Sequence, residues 1–394
     1  MATQSGTRTL ACSLKKCIQD PLDEHMARVE VVTFQANREE RTNMEVAWVD
    51  GRAAVFHDIC WKAVVDSCKM DNPFSMCPLE KDMVAEARKT AEYFDSADRL
   101  RREARRVGAM LKTAQYAMAF TGAGISTSAG IGDFRGKNGK WTEMDRAKIR
   151  GVGCHSDSPA ITYEALRPTY THEAICKLVQ LGYLKHVISQ NTDGLHRLSG
   201  IPVEQLSELH GNAFIEKCEK CMTRYERKSA VRRTRRETVA PKICIHCHLD
   251  HRTGRKCERK GCDGYLMNII INFGDSLELH VLRSAEEHAR ACDLMLCLGS
   301  SMRVTPACHL VEMGPEPTRL VLCNRQPTPM DKLCYQVTDT GRAPIGSRVF
   351  GDCDLLMKEL MKCLLADEER HEWEAELPGR LKEYAQQREA PTTE

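Results

Sequence analysis

Short apolar runs, separated by longer amphipathic or polar stretches, mark the central part of the chain. Five of them have the length and composition of buried strands: YAMAF (116–120), HVISQ (186–190), NIIINF (268–273), LMLCLG (294–299) and RLVLC (319–323). Strands that are apolar on both faces are typical of parallel sheets covered by helices on both sides. The pattern therefore predicts an α/β fold built on a parallel sheet, with inserts at about 137–183 and 213–267.

The regions outside this core have different patterns. Residues 1–80 contain alternating stretches, VEVVTF and MEVAWV, that predict short strands, and DNPFSMCP (71–78) is typical of a linker. From about 80 to 112 the apolar residues recur at helical spacing, with many arginines opposite. We therefore divide the chain into an N-terminal region (1–80), a basic helix (81–111), a main domain (112–363) and a tail (364–394).

Composition narrows the class of protein. The 394 residues are 42% hydrophobic and 28% charged, which is enough for a packed core, and the net charge of +2 excludes a histone-like protein. We expect no membrane span, because no apolar run approaches about 18 residues, and no secretory signal at the N-terminus. Twenty cysteines then indicate a reducing compartment, with thiols in metal sites or in the core.

A glycine-rich turn, GAGISTSAGIGDFRG (122–136), follows the first apolar run. Such a turn lets backbone N–H groups approach a phosphate closely. Gly122 and Gly124 match the first two glycines of a dinucleotide fingerprint, but Thr127 stands at the third, which disfavours an ordinary dehydrogenase. A turn that needs glycine only for tight packing is the alternative.

Polar side chains follow the second apolar run. Gln190, Asn191 and Asp193 come directly after it in QNTDGLH, and His210 follows in ELHGN (208–212). Strand ends of open α/β sheets bind ligands, and these residue types can bond ribose hydroxyls and an amide or take up a proton. The alternative is a plain turn at Asp193, with His196 as a surface histidine.

Together these motifs resemble the sirtuins, which are NAD-dependent protein deacylases. The glycine-rich turn, QNTDGLH, ELHGN, the cysteine insert, FGD (273–275), LCLGSSMRVTP (296–306) and VLCNRQPTPMD (321–331) occur in the family's order across about 112–362. TGRKCERKGCDG, NGKWT and NRQPTPMD are most similar to the nuclear branch that includes sirtuins 6 and 7. The resemblance implies a Rossmann-like NAD domain with an inserted zinc module and a helical insert.

The resemblance also implies roles for individual residues. His210 would be the catalytic base. Asn191 and Asp193 would be further catalytic residues and, with Gln190, would hold the nicotinamide riboside end of NAD. The residues that would bind NAD are Ala123, Thr127, Phe134, Arg135, Trp141, Gln190, His210, Gly299, Ser301, Asn324, Gln326 and Cys353. The family usually has proline where Gly132 stands, and glycine there would loosen the cofactor loop.

The implied reaction transfers the acyl group of an acyl-lysine to ADP-ribose and releases nicotinamide. His210 would take a proton from a ribose hydroxyl. The implied partners are acyl-lysine proteins, with histones as candidates, and the implied compartment is the nucleus, with the cytoplasm second. A mono-ADP-ribosyltransferase and a chromatin- or DNA-binding zinc protein are the alternative functions.

The cysteine insert contains three thiol pairs. Spacing alone favours a zinc site made of Cys218, Cys221, Cys244 and Cys247, with the pattern C-x₂-C-x₂₂-C-x₂-C. The resemblance instead places the second pair just before FGD, which implies Cys218, Cys221, Cys257 and Cys262 as the zinc ligands. Cys244 and Cys247, with His248 or His251, would then be a spare pair in an enlarged loop.

The N-terminal region offers a further candidate zinc finger, made of Cys12, Cys17, His57 and Cys60. The alternative is that these thiols pack in a small core. The basic runs RLRREARR (99–106) and RKSAVRRTRR (227–236) could contact nucleic acid or serve as nuclear signals. A solvated helix face accounts equally well for the first run.

Overall fold

The computed structural model of the chain describes residues 11–15, 17, 19, 22–23, 25–34, 46, 48–49, 51–69, 78–132, 162–233, 240–316, 319–337 and 344–388. Its strands are β1 (Arg28–Val32), β2 (Ala53–His57), β3 (Glu92–Phe94), β4 (Ala117–Thr121), β5 (Leu184–Ser189), β6 (Leu206–Glu208), β7 (Ile215–Cys218), β8 (Arg224–Glu226), β9 (Arg252–Lys256), β10 (Tyr265–Asn268), β11 (Leu294–Leu298), β12 (Arg319–Cys323) and β13 (Ser347–Val349).

Its α-helices are α1 (Asp58–Lys69), α2 (Pro78–Thr90), α3 (Ala97–Thr113), α4 (Tyr170–Gln180), α5 (Leu195–Leu198), α6 (Leu279–Ala291), α7 (Cys353–Leu364), α8 (Asp367–Ala375) and α9 (Leu377–Gln387). Across the described ranges, these helices are too short or too polar to cross a lipid bilayer.

The central sheet has the strand order β13-β12-β11-β4-β5-β6, and every neighbouring pair is parallel. The predicted parallel α/β fold is thus confirmed. From β4 the chain adds β5 and β6 on one side, and β11, β12 and β13 then add on the other. The carboxyl ends of β4 and β11 therefore meet where the strand order reverses, which is the usual ligand crevice of such sheets.

Both faces of the central sheet are covered. Along β4, Ala117 and Ala119 belong to an apolar cluster with α3, α4 and α7, whereas Met118 and Phe120 belong to a second cluster with α6. Successive strand residues point to opposite faces, so an uninterrupted apolar run is what a sheet buried on both sides requires.

One predicted strand is wrong. NIIINF (268–273) is not a strand of the central sheet, because β10 ends at Asn268 and pairs with β7 and β9 in a separate four-stranded sheet. Beyond it the chain is a connector, and the backbone N–H of Ile271 donates to the carbonyl of His210 at 3.0 Å. An apolar run cannot by itself distinguish a sheet strand from a partly buried connector.

The helix predicted over 80–112 is divided in two by a short strand. β3 lies between α2 and α3 and pairs antiparallel with β1, so the N-terminal sheet, with the order β2-β1-β3, extends to Phe94. Ser96 then begins α3 by accepting a hydrogen bond from the N–H of Arg99. The apolar face of α3 is as predicted, since Ala104, Val107 and Leu111 are buried. Of the strand predicted at MEVAWV (44–49), the structure describes only three residues.

The tail packs against the main domain through a buried carboxylate. Arg380 of α9 donates to Glu173 of α4 at 2.6 Å, and the Tyr384 hydroxyl donates to the same carboxylate at 2.6 Å. The Glu173 side chain is only 6% exposed. This carboxylate therefore anchors α9 on the core.

Replacing Arg380 with alanine is expected to lower the free energy of unfolding by about 3–5 kcal/mol, since it leaves the Glu173 charge buried without its cation. The measurement is urea unfolding followed by tryptophan fluorescence. Arg290→Ala is the matched control, because its partner Glu286 lies on an exposed helix face, and such a pair contributes about 0–1 kcal/mol. Equal effects of the two substitutions would show that α9 is not anchored in this way.

Candidate functional site

Two glycine turns interlock at the carboxyl ends of β4 and β11. The N–H of Gly122 donates to Leu298 O at 3.0 Å, and the N–H of Gly124 donates to Gly299 O at 2.8 Å. A Cβ on Gly124 would lie 2.7 Å from the Cα of Gly299, whose own φ is +66°. Tight packing of the turns thus explains the glycines at 122 and 124, whatever ligand lies above them.

Three buried polar side chains connect this turn to the end of β5. Asn191 Nδ2 donates to Gly122 O and to Ser126 Oγ, both at 3.2 Å, and Ser126 Oγ donates to Asp193 Oδ2 at 2.7 Å. Asp193 Oδ1 also accepts the N–H of Leu195 at 2.9 Å, so both of its oxygens are engaged. The sequence analysis did not identify Ser126 as a site residue. The feature that could have indicated it is a hydroxyl side chain within the glycine-rich turn.

The hydrogen bond to His210 fixes its tautomer. His210 Nδ1 lies 2.9 Å from the carbonyl oxygen of Gln190. A carbonyl only accepts, so Nδ1 carries the proton and Nε2 keeps its lone pair. Burial lowers the pKa of His210 below 6.5, while the hydrogen bond to Gln190 acts against this shift. The imidazole is therefore neutral near pH 7 and can accept a proton at Nε2.

The side-chain amide of Gln190 is not satisfied by the described part of the chain. Its backbone N–H donates to Thr121 O at 2.9 Å and extends the pairing of β5 with β4, but its buried Nε2 has no partner among the described residues. Buried amide donors are nearly always paired in folded proteins. Gln190 Nε2 is therefore a candidate donor to a ligand oxygen.

Of the remaining residues of the predicted NAD site, four follow β4 and β11 at the same edge of the sheet. Ala123 and Thr127 lie in short 3₁₀ turns after β4, and Thr127 Oγ1 donates to Gly124 O at 3.0 Å. Gly299 and Ser301 lie in the turn after β11. Phe134, Arg135 and Trp141 lie outside the described residues.

Three more residues of the predicted NAD site, Asn324, Gln326 and Cys353, follow β12 and β13. Asn324 Nδ2 donates to Gln326 O at 2.9 Å, and the Asn324 N–H donates to Val349 O at 3.2 Å. Cys353, which begins α7, is 5% exposed, and its thiol lies 3.7 Å from Cys323 O. The hydrogen bond with Cys323 and burial raise the pKa of this thiol, so it stays protonated.

His196 is buried, which corrects its interpretation as a surface histidine. It is 2% exposed, and its Nε2 lies 2.8 Å from Thr121 Oγ1. Burial lowers the pKa of His196 to about 3, so it is a neutral core residue.

Arg388, which directly follows α9, reaches this region. Its guanidinium carbon lies 3.3 Å from the centre of the Phe214 ring, and Nη2 donates to Gly194 O at 3.2 Å. Burial lowers the pKa of Arg388 to about 10, which leaves it charged at neutral pH. No local pattern could have indicated this contact, which joins residues 194 positions apart.

The four thiols of Cys218, Cys221, Cys257 and Cys262 lie together in the four-stranded sheet region. All four sulfurs lie within 4.8 Å of one another, and the 218–262 and 221–257 pairs are 3.6 Å apart. Four thiolates around a tetrahedral zinc ion are separated by about 3.7 Å, so this donor set fits a closed structural site. Cys244 and Cys247, the pair favoured by spacing, lie in a different cluster.

The candidate ligands of the N-terminal region also converge. Ligand atoms of Cys12, Cys17, His57 and Cys60 all lie within 4.8 Å of one another. Cys17 Sγ is 3.3 Å from His57 Nδ1, and His57 is 2% exposed. The arrangement has the donor types of a structural zinc site.

Comparison with known proteins gives the following similarities. The family model described as "Sir2 family" matches residues 122–306. The chain is 38% identical over 243 residues to "NAD-dependent protein deacetylase SRT1" of Arabidopsis thaliana, which covers 61% of this chain and 47% of that protein. It is 34% identical over 276 residues to "NAD-dependent protein deacetylase Sirt6" of Drosophila melanogaster, which covers 68% of this chain and 80% of that protein.

The chain thus spans about half the length of the plant relatives that it matches. Among solved structures, "Sir2-p53 peptide-NAD+" is similar at 24% identity with a TM-score of 0.46, over 65% of this chain and 96% of that chain.

Proposed function

Because this chain belongs to the Sir2 family, we propose that it is an NAD-dependent protein-lysine deacylase. It would transfer the acyl group of an acyl-lysine to ADP-ribose and release nicotinamide. The observation that carries the proposal is the tautomer of His210, whose Nδ1 is held by Gln190 O at the carboxyl edge of the sheet. That bond leaves a basic Nε2 at the edge of the sheet along which α/β proteins bind dinucleotides.

The crevice offers groups that fit NAD. Gln190 Nε2, which has no partner in the described part of the chain, suits a carboxamide or hydroxyl oxygen, and Asn191 is the next residue. The interlocked glycine turns would lie under the phosphates, with Asn324 and Gln326 towards the adenosine. When bound, NAD supplies the ADP-ribosyl group that accepts the acyl group.

The residues of the site would have two roles: one acts as the general base, and the others position the reacting groups. His210 Nε2 takes the proton of a ribose hydroxyl and so raises its nucleophilicity. Asp193 uses both oxygens within the protein, so we assign it a positioning role that orients Ser126 and, through it, Asn191. These buried contacts limit the conformations available to the site before substrate binds.

The pH dependence of kcat/KM should report His210. Only the neutral imidazole can accept a proton, so the rate rises with pH as His210 loses its proton. Because burial lowers the pKa of His210, the midpoint of the acid limb should lie below pH 6.5. A pH series with a peptide free of other titratable groups measures it, and a midpoint above 6.5 would contradict the assignment.

The test of the proposed function uses NAD labelled in its adenine ring and a panel of acyl-lysine peptides. Deacylase activity predicts label in acyl-ADP-ribose and peptides that lose their acyl groups. A mono-ADP-ribosyltransferase would leave label covalently on protein. Binding of nucleic acid with no turnover of NAD would favour the chromatin- or DNA-binding alternative.

For partners and compartment, we propose acyl-lysine proteins, histones among them, and the nucleus, with the cytoplasm as the second choice. The supporting facts are the similarity to a relative named Sirt6 and the basic runs at 99–106 and 227–236. We also propose a zinc ion in the four-thiol cluster and another at Cys12, Cys17, His57 and Cys60. The N-terminal unit would then serve for docking to protein or nucleic acid, a role that salt-dependent binding of the full chain would test.

A further inference from the structure

A third cluster of metal-ligating side chains lies in the enlarged loop and includes an aspartate of the FGD motif. Cys244 Sγ is 3.2 Å from Asp275 Oδ1, Cys247 Sγ is 3.2 Å from His251 Nε2, and His251 Nε2 is 3.4 Å from Asp275 Oδ2. All four ligand atoms lie within 4.8 Å of one another. Around a tetrahedral zinc ion, such atoms are separated by about 3.3–3.8 Å. We propose that these four side chains bind a zinc ion of their own.

The backbone around Cys244 repeats the backbone around Cys218. In both turns the N–H of the first cysteine donates to the carbonyl five residues later, at 2.9 Å, and its carbonyl accepts the N–H four residues later, at 3.1 Å. In both, its sulfur accepts the N–H two residues later, at 3.4 Å. The residue four positions later has φ +62° at Met222 and +59° at His248. The enlarged loop thus has the same knuckle as the four-thiol cluster.

Neighbouring asparagines orient the two ligands that are not thiols. His251 Nδ1 lies 3.3 Å from Asn268 Oδ1, while Asn268 Nδ2 donates to His251 O at 3.2 Å. Because the amide oxygen only accepts, Nδ1 carries the proton and Nε2 faces the cluster as a ligand. Asp275 Oδ2 accepts the N–H of Asn272 at 3.0 Å. Such outer contacts typically fix metal ligands.

The loop has little apolar burial to hold it in place. Its large apolar side chains are exposed: Ile243 by 55%, Ile245 by 82% and Leu249 by 52%. Its strand pairing among the described residues is the single bridge between Ile243 and Asp250. Small loops without a core usually depend on a disulfide or a metal. A zinc ion would supply the missing stabilisation.

The proposed ion would also fix the connector that lies beside His210. Asn268 and Asp275 bracket this segment, and the Ile271 N–H donates to His210 O at 3.0 Å. Gly274, with φ +98°, packs so closely on the knuckle that a Cβ there would lie 2.9 Å from His246 O. The consequence for His210 as a catalytic base rests on the proposed function, whereas binding of the ion by these four side chains does not.

Native mass spectrometry of the full chain tests the site by counting metal ions. Cys247→Ser and Cys257→Ser should each lose one zinc relative to the wild type, and the combined variant should lose two. Cys363→Ser, a thiol outside the three clusters, should lose none. Hydrogen exchange of residues 268–275 should be faster in Cys247→Ser. If Cys247→Ser keeps the wild-type count, or the combined variant loses only one ion, the proposal is overturned.

Asp275→Asn covers the case in which a cysteine variant fails to fold. It keeps the size of the side chain and removes one ligand charge. We expect one zinc ion to be released at a chelator concentration at least about tenfold lower than in the wild type. Unchanged release of every ion would overturn the proposal, even if deacylase activity were present.

Discussion

Replacing His210 with alanine is expected to lower kcat/KM for deacylation by about 10²–10⁴, which is the usual contribution of a general base. The variant loses the Nε2 lone pair but no part of the glycine turns or of the buried Asn191–Ser126–Asp193 chain. We therefore expect nearly unchanged binding of NAD by calorimetry and an unchanged thermal midpoint. The measurement is peptide deacetylation at saturating NAD.

A second variant separates chemistry from folding in this test. His288→Ala removes a histidine on α6 that hydrogen-bonds Tyr116 at 2.6 Å, away from the carboxyl edge of the sheet. It should keep most of the activity. Turnover by His210→Ala at the wild-type rate would refute the base assignment, and so would equal losses in the two variants.

Removing one thiolate from the four-thiol cluster should have the largest effect on stability. Structural zinc sites contribute about 10–16 kcal/mol of apparent binding free energy, and it is coupled to folding. Cys257→Ser should therefore release the zinc ion of this cluster and open the turns that join β7 to β8 and β9 to β10, while the Cys244 cluster keeps its own ion. Limited proteolysis within residues 215–268 and metal analysis measure the two outcomes.

The central parallel sheet should survive this change, because its apolar clusters include no residue of that module. A melting curve with a retained main transition would show it. Cys363→Ser is the control and should change neither zinc content nor proteolysis. A stable, protease-resistant module with its zinc lost would mean that the ion is not what holds these strands together.

The parallel sheet could be predicted because its signal is local. Uninterrupted apolar runs such as YAMAF and RLVLC indicate strands that are buried on both faces. The glycines that follow β4 indicate a turn that has no room for a side chain. The strand predicted at NIIINF was wrong because a partly buried connector can have the same apolar composition as a strand. The strand at 92–94 was hidden inside a helical pattern that continues on both sides of it.

Contacts between distant residues were beyond prediction from the pattern. Residues at the predicted positions 190, 191, 193 and 210 do lie together, but the bond of Ser126 to Asp193 and the bond of His210 to the backbone of Gln190 depend on how two strand ends meet. Arg388 shows the same limit, since it follows α9 and yet reaches Gly194, 194 positions earlier. As partners of Cys218 and Cys221, spacing alone favoured Cys244 and Cys247 over Cys257 and Cys262. Spacing carries no information on how the loop between the pairs folds, so it could not identify the pair that lies nearby.

The most direct measurement is the stoichiometry of products from the full chain, NAD and an acetyl-lysine peptide. We predict free nicotinamide, deacetylated peptide and acetyl-ADP-ribose in equal amounts, with no nicotinamide released when the peptide is omitted. A crevice that binds no NAD, or that releases nicotinamide while the peptide stays acetylated, would contradict the account.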